Sequence, residues 1–144
     1  MKEEIVSRKT HKKSPSRSRA SGIFFGLWSL LFLLFCYWQW NDADPEVWMS
    51  IYGFAAVMCG LAAVGRFYIP VLMLASIIAL LGSLFFFPRS VSDWIFQEWQ
   101  QADLSMKTIE MEETREFFGL LIISVIMGLA AYKGWREKRK AITE

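Results

Sequence analysis

Histidine is nearly missing from this chain: among its 144 residues His11 is the only one, and it stands in a basic N-terminal stretch. A site across a membrane from that stretch therefore has no imidazole. This excludes a Ser-His-Asp triad, a Cys-His pair, His-ligated zinc and bis-His haem there. Cysteine is scarce too, with Cys36 and Cys59 alone. No Walker or Rossmann glycine spacing occurs, which removes the phosphate-cradling loops of nucleotide enzymes. Charge is missing where a proton relay needs it, because none of the four long apolar runs carries Asp, Glu, Lys or Arg in its middle.

Apolar and aromatic residues are what the chain has in abundance, at 54% and 16%. They are gathered into Gly22 to Trp40, Val47 to Val64, Phe67 to Phe87 and Phe117 to Tyr132. Each run holds about 16 to 21 residues, which at about 1.5 Å of helix rise per residue spans, or slightly undershoots, a hydrocarbon core of about 30 Å. The pattern predicts an all-α polytopic membrane protein built as one four-helix transmembrane bundle. Its helices fall at about 22–40, 47–64, 67–87 and 117–132, within a transmembrane domain of residues 21–135. Too little chain remains for a separate soluble domain. Residues 1–20, rich in Ser, Lys and Arg, cannot bury enough surface to order themselves and are expected to form a flexible cytoplasmic tail. Residues 136–144 are expected to form a second basic cytoplasmic tail.

Lys and Arg are sorted by connection. Lys2, Arg8, Lys9, Lys12, Lys13, Arg17 and Arg19 precede the first run, Arg66 separates the second from the third, and Lys133, Arg136, Lys138, Arg139 and Lys140 follow the last. The first connection, Asn41 to Glu46, has none, and the third has only Arg89, Lys107 and Arg115. Positive-inside bias then places both termini and Arg66 in the cytoplasm, in a plasma or inner membrane. Orientation, rather than nucleic-acid binding, is the expected work of the basic tail. A cleaved signal peptide does not fit, because the first run is long and ends in Tyr37, Trp38 and Trp40 without a small-x-small site. Phe35, preceding Cys36, is too large for lipoprotein processing. The two cysteines lie at depths differing by roughly 12 Å, too far for a disulfide.

Local signals refine the helices. Asp44 can cap the second helix, with Pro45 at its first position and Glu46 in its first turn. Gly65 suits the C′ position that ends it, and Pro70 falls in the first turn of the third. Small residues recur four apart as Gly22/Gly26, Ala56/Gly60, Ala75/Ala79/Ser83 and Ser124/Gly128. Such rows let backbones approach in lipid and serve packing of the bundle first, with a homo-oligomer or membrane protein partner as the further use. In the third connection, Val91, Trp94, Ile95 and Trp99 at near-helical spacing predict a short interfacial amphipathic helix.

The remaining chemistry is acidic and faces outward. The first connection and the following helix supply Gln39, Asn41, Asp42, Asp44, Glu46, Trp48 and Tyr52; the entrance to the fourth run supplies Glu112, Glu113, Arg115 and Glu116. Glu112, Arg115 and Glu116 share one helix face, and Arg115 can reach back to Asp42. One reading is capping and ion pairing, since acidic groups complement helix N-termini. A second is a hard-cation site for calcium or magnesium, with Asp42 and Glu113 as ligands, because carboxylates and an amide without His or Cys suit those ions. A third is a carboxylate acid/base pair. No cofactor is predicted.

Gln39-x-Asn41-Asp42-x-Asp44-x-Glu46-Val47-Trp48, followed by Tyr52, resembles the first-loop signature of the transmembrane protein 220 family. Glu112-Glu113-x-Arg115-Glu116-x-x-Gly119-Leu120 is similar to that family's segment before a later membrane helix. Pro45 stands one place from where a relative's loop proline is expected. The resemblance implies a multi-pass membrane architecture and names no substrate. A nonenzymatic membrane scaffold or assembly partner is the expected role, with a membrane enzyme or cation-binding protein as the alternative.

Overall fold

The computed structural model describes residues 19–42, 44–87 and 109–143, with side chains from residue 113 onward in the last segment. Its elements are α1 (Arg19–Trp38), a 3-10 turn (Gln39–Asn41), α2 (Pro45–Ala63), α3 (Ile69–Phe85) and α4 (Ile109–Thr143). The expected interfacial helix of the third connection and most of the N-terminal tail lie outside the described residues.

Small and hydroxylated residues set the helix register. Between α1 and α2, Gly26 opposes Ala63, Ser29 Oγ donates to the Ala56 carbonyl at 2.8 Å, and Cys36 Sγ donates to the Met49 carbonyl at 3.3 Å. Numbers rise along α1 as they fall along α2, so the pair is antiparallel. Between α3 and α4, Ile69 lies against Gly134, Gly82 against Leu120, and the Phe87 and Phe117 rings meet at 5.4 Å. At the centre of this pair, Ser76 Oγ donates to the Ser124 carbonyl at 2.8 Å while Ser124 Oγ donates to the Ser76 carbonyl at 2.9 Å. Apolar side chains gain little by leaving lipid for one another, so close backbones and such polar bonds carry much of the association. The small-residue rows represented by Gly26, Ala56, Gly60, Ser124 and Gly128 lie between helices of this chain.

Burial is narrow on the flanking helices and broad on the central ones. α1 buries Phe25 and Phe32, and α3 buries Leu72, Ala79 and Ser83. α2 buries Trp48, Tyr52, Ala55, Ala56, Met58, Cys59 and Ala62 and also contacts α4. Leu30, Leu33, Leu74, Ile78 and Leu81 stay exposed, and Phe85 is 85% exposed. An apolar exterior of this extent matches hydrocarbon rather than water.

The helix ends partly follow the sequence signals. α2 closes with Gly65 at φ 79°, its N–H on the Ala62 carbonyl at 3.0 Å and the Arg66 N–H on the Leu61 carbonyl at 2.8 Å. This is the double bond pattern of a Schellman stop. Asp44 holds the N-cap position before Pro45, yet makes no side-chain cap bond. Its ψ of 63° lies outside the extended region from which a capping carboxylate reaches the N2 or N3 amide.

Among the described residues, three helices are long and apolar enough to cross a membrane, whereas α3, at 17 residues, is shorter. Residues 67 and 68 belong to the connection after the Schellman stop, which trims the expected 67–87 helix. The larger correction is α4. In place of 117–132 it runs 35 residues, taking in the acidic entrance and most of the expected tail at 136–144. Lipid sets the length of an apolar run, but helix propensity sets where the helix stops. Glu, Lys, Arg and Ala at its ends are good helix formers. Lys133 and Glu137, four apart, pair at 3.5 Å, and Thr143 Oγ1 donates back to the Lys140 carbonyl at 3.1 Å.

These contacts sort the charges. Phe25 meets Phe67 at 6.1 Å and Phe67 lies on Gly134, which gathers Arg19, Arg66 and the basic end of α4 at one end of the molecule. Trp48 meets Phe86 at 6.3 Å at the other end, where the acidic motifs lie.

Candidate functional site

The acidic end is built on α2 and α4, which run parallel there. Pro45, in the first turn of α2, starts the helix so that Trp48 and Tyr52, four apart, point the same way. Both are buried, at 5% and 6% exposure. Trp48 Nε1 donates to Glu116 Oε1 at 3.0 Å. One turn further in, the Tyr52 hydroxyl presses on Gly119, occupying the place a Cβ there would take. A side chain at 119 would force the buried Tyr52 ring to shift.

Aromatic packing encloses this contact. The Trp48 and Tyr52 rings lie 6.2 Å apart, Phe35 of α1 meets Tyr52 edge-on at 5.7 Å, and Phe86 closes over Trp48. A charge-assisted bond is strengthened in such surroundings, and an unpaired carboxylate or indole N–H would be penalised.

The sequence candidates divide into two groups. Asp42, Trp48, Tyr52, Arg115 and Glu116 are buried or half-buried, while Asn41, Asp44, Glu46 and Glu113 are exposed. Gln39 is half-buried, and its carbonyl accepts the Asp42 N–H at 3.0 Å, closing the turn that carries Asp42. The Glu46 carbonyl accepts Ser50 Oγ at 2.6 Å. The Glu112 side chain lies outside the described ones. Among the described residues, no group of three or more His, Cys, Asp or Glu side chains converges to hold a metal ion. The arrangement is suited to joining helices through a carboxylate, an indole and a phenol.

Two residues escaped selection from sequence. Gly119 lies inside the second motif, but its importance depends on the facing tyrosine. Thr114 is 2% exposed, a polar residue at the buried core's edge. It stands three residues before the buried Phe117, in phase with Leu120 and Ser124, so continuing the apolar stripe backwards would have found it.

Antiparallel helix pairs, an apolar exterior and charges sorted to opposite ends define a multi-pass helical membrane protein. Its two sequence motifs meet in space through Trp48–Glu116 and Tyr52–Gly119. The chain belongs to Transmembrane family 220, whose model, described as "Transmembrane family 220, helix", matches residues 31–132. That range covers both motifs and all four helices in whole or part. No curated protein and no solved structure matches the chain.

Proposed function

We propose that this protein is a nonenzymatic four-span membrane scaffold or assembly partner with both termini cytoplasmic, and that its acidic cluster clasps α2 to α4. The observation that supports this reading is the 3.0 Å bond between Trp48 and Glu116. It joins residues from both motifs, and beside it Tyr52 is packed on the Gly119 backbone. The polar groups most suited to chemistry by burial are thus engaged in helix registration. A fixed register gives the small, rigid membrane surface that an assembly partner requires.

The test is purification of the full chain in native lipid, with cross-linking and mass spectrometry for a second copy or a bound membrane protein. Trp48→Phe combined with Glu116→Gln should release that partner as it loosens the fold. Asp42→Asn should retain both fold and partner. If Asp42→Asn keeps the fold and partner but abolishes cellular function, the cluster is a chemical site and the scaffold reading fails. Orientation is checked separately with single cysteines at Ala43 and Thr143 in a chain whose Cys36 and Cys59 are replaced. An impermeant thiol reagent on intact cells should label Ala43→Cys and spare Thr143→Cys.

A further inference from the structure

Between α3 and α4, on the membrane-facing side away from the clasp, lies an open groove of about 440 Å³. Ile69, Met73 and Ile77 form one wall, Tyr132 and Trp135 the other, and Gly128 part of the floor. Its volume falls within the range of about 300–1,000 Å³ typical of ligand clefts. Along α3 it extends for about 12 Å, from the helix start towards mid-span.

Each of the two aromatic rings that line this groove carries an arginine. The Arg136 guanidinium lies 5.8 Å from the centre of the Tyr132 ring, and that of Arg139 lies 4.8 Å from the centre of the Trp135 ring. Both arginines are exposed, and neither has a carboxylate partner among the described residues. Lys133 is paired, with Glu137 at 3.5 Å. The aromatic rings therefore belong to two surfaces at once: they line an apolar slot and support two cations at its rim.

We propose that this groove binds an anionic glycerophospholipid, with an acyl chain along α3 and the headgroup phosphate on Arg136 and Arg139. An acyl chain matches the wall chemistry and lies in the direction of the slot. A phosphate matches guanidinium groups by charge and by paired hydrogen bonds. A zwitterionic lipid offers the same chain with no net charge, so selectivity arises at the rim. The site is separate from the clasp and does not depend on it.

Native mass spectrometry of the full chain, released from micelles holding equal phosphatidylglycerol and phosphatidylcholine with identical acyl chains, tests this. Wild type should retain phosphatidylglycerol with about a thirtyfold preference, in line with two basic groups at an anionic headgroup. R136Q/R139Q should bring the preference close to parity without loss of helical circular dichroism, whereas R136K/R139K, which keeps the charge but not the paired hydrogen bonds, should retain part of it. Met73→Trp, which fills the slot from an exposed wall position, should lower retention of both lipids. Equal retention of the two lipids by wild type, or an undiminished preference in R136Q/R139Q, overturns the proposal. So does full displacement of phosphatidylglycerol by inorganic phosphate, which would reduce the rim to a plain anion patch. If R136Q/R139Q fails to fold, salt decides: the wild-type preference must fall as salt rises, and indifference to salt counts against a charge-selected lipid.

Discussion

At the acidic end of the molecule, polar groups are turned into the fold. Glu116 accepts from a buried indole, and the phenol of Tyr52 meets a glycine backbone. At the basic end, Arg136 and Arg139 lie over aromatic rings and face outward. Both ends combine charge with aromatic residues, so composition alone would rate them alike. The difference is burial of the partner: an aromatic whose N–H or O–H reaches inward makes a clasp, and one whose face points outward makes a platform. Charge changes at the first end should accordingly alter stability, and those at the second should alter what the surface binds.

The largest effect should come from Gly119→Ala. Its Cβ would meet the Tyr52 hydroxyl, and the ring carbon behind it lies only 3.2 Å away. Overpacking of this kind costs about 1–3 kcal/mol. Thermal unfolding in detergent should show the loss, and adding Tyr52→Phe should recover part of it by removing the hydroxyl. A double mutant no better than Gly119→Ala alone would mean that the contact is not what limits the site.

Next in size is Trp48→Phe, which removes the indole donor but keeps an aromatic ring. About 1–3 kcal/mol is expected for leaving a partly buried carboxylate short of a donor. Glu116→Gln, which retains an acceptor oxygen, should cost less. The two changes together should cost less than their sum, and strict additivity would show that the bond contributes nothing to holding α2 on α4.

How far this end could be read beforehand follows from what each signal measures. The apolar runs and the Pro45 and Gly65 signals depend on neighbours in sequence, so the membrane architecture and the limits of α2 were legible. The pairing of Trp48 with Glu116 joins residues 68 apart in sequence, and no local pattern specifies it. Membership of both in conspicuous motifs marked them as candidates, though not as partners. Asp44 was placed correctly as N-cap, but its backbone conformation leaves the expected side-chain bond unmade. The length of α4 was missed because hydropathy ends where lipid ends, whereas backbone hydrogen bonding continues through charged residues of high helix propensity.

A smaller effect is expected from Asp42 and Arg115. Both are half-buried at the acidic end. We expect these two groups to attract one another across the connection. Asp42→Asn and Arg115→Gln should each lower the melting temperature, with a coupling of about 1 kcal/mol in the double-mutant cycle. Zero coupling would leave each residue to separate partners.

The smallest effect belongs to the basic end and sharpens the contrast most directly. Lys133 and Glu137 form an ion pair at 3.5 Å, one helical turn apart, with side chains 32% and 41% exposed. Solvent screening at that exposure leaves such a pair worth about 0.3–0.5 kcal/mol, less at high salt. Glu137→Gln should therefore change the melting temperature far less than Trp48→Phe does. It should also leave Lys133 without its carboxylate at the basic end, raising the positive charge there. The variant should then hold phosphatidylglycerol at least as well as wild type in the lipid competition. If Glu137→Gln instead matched Trp48→Phe in lost stability, charge at the basic end would be structural as well, and the division between a clasping end and a binding end would fail.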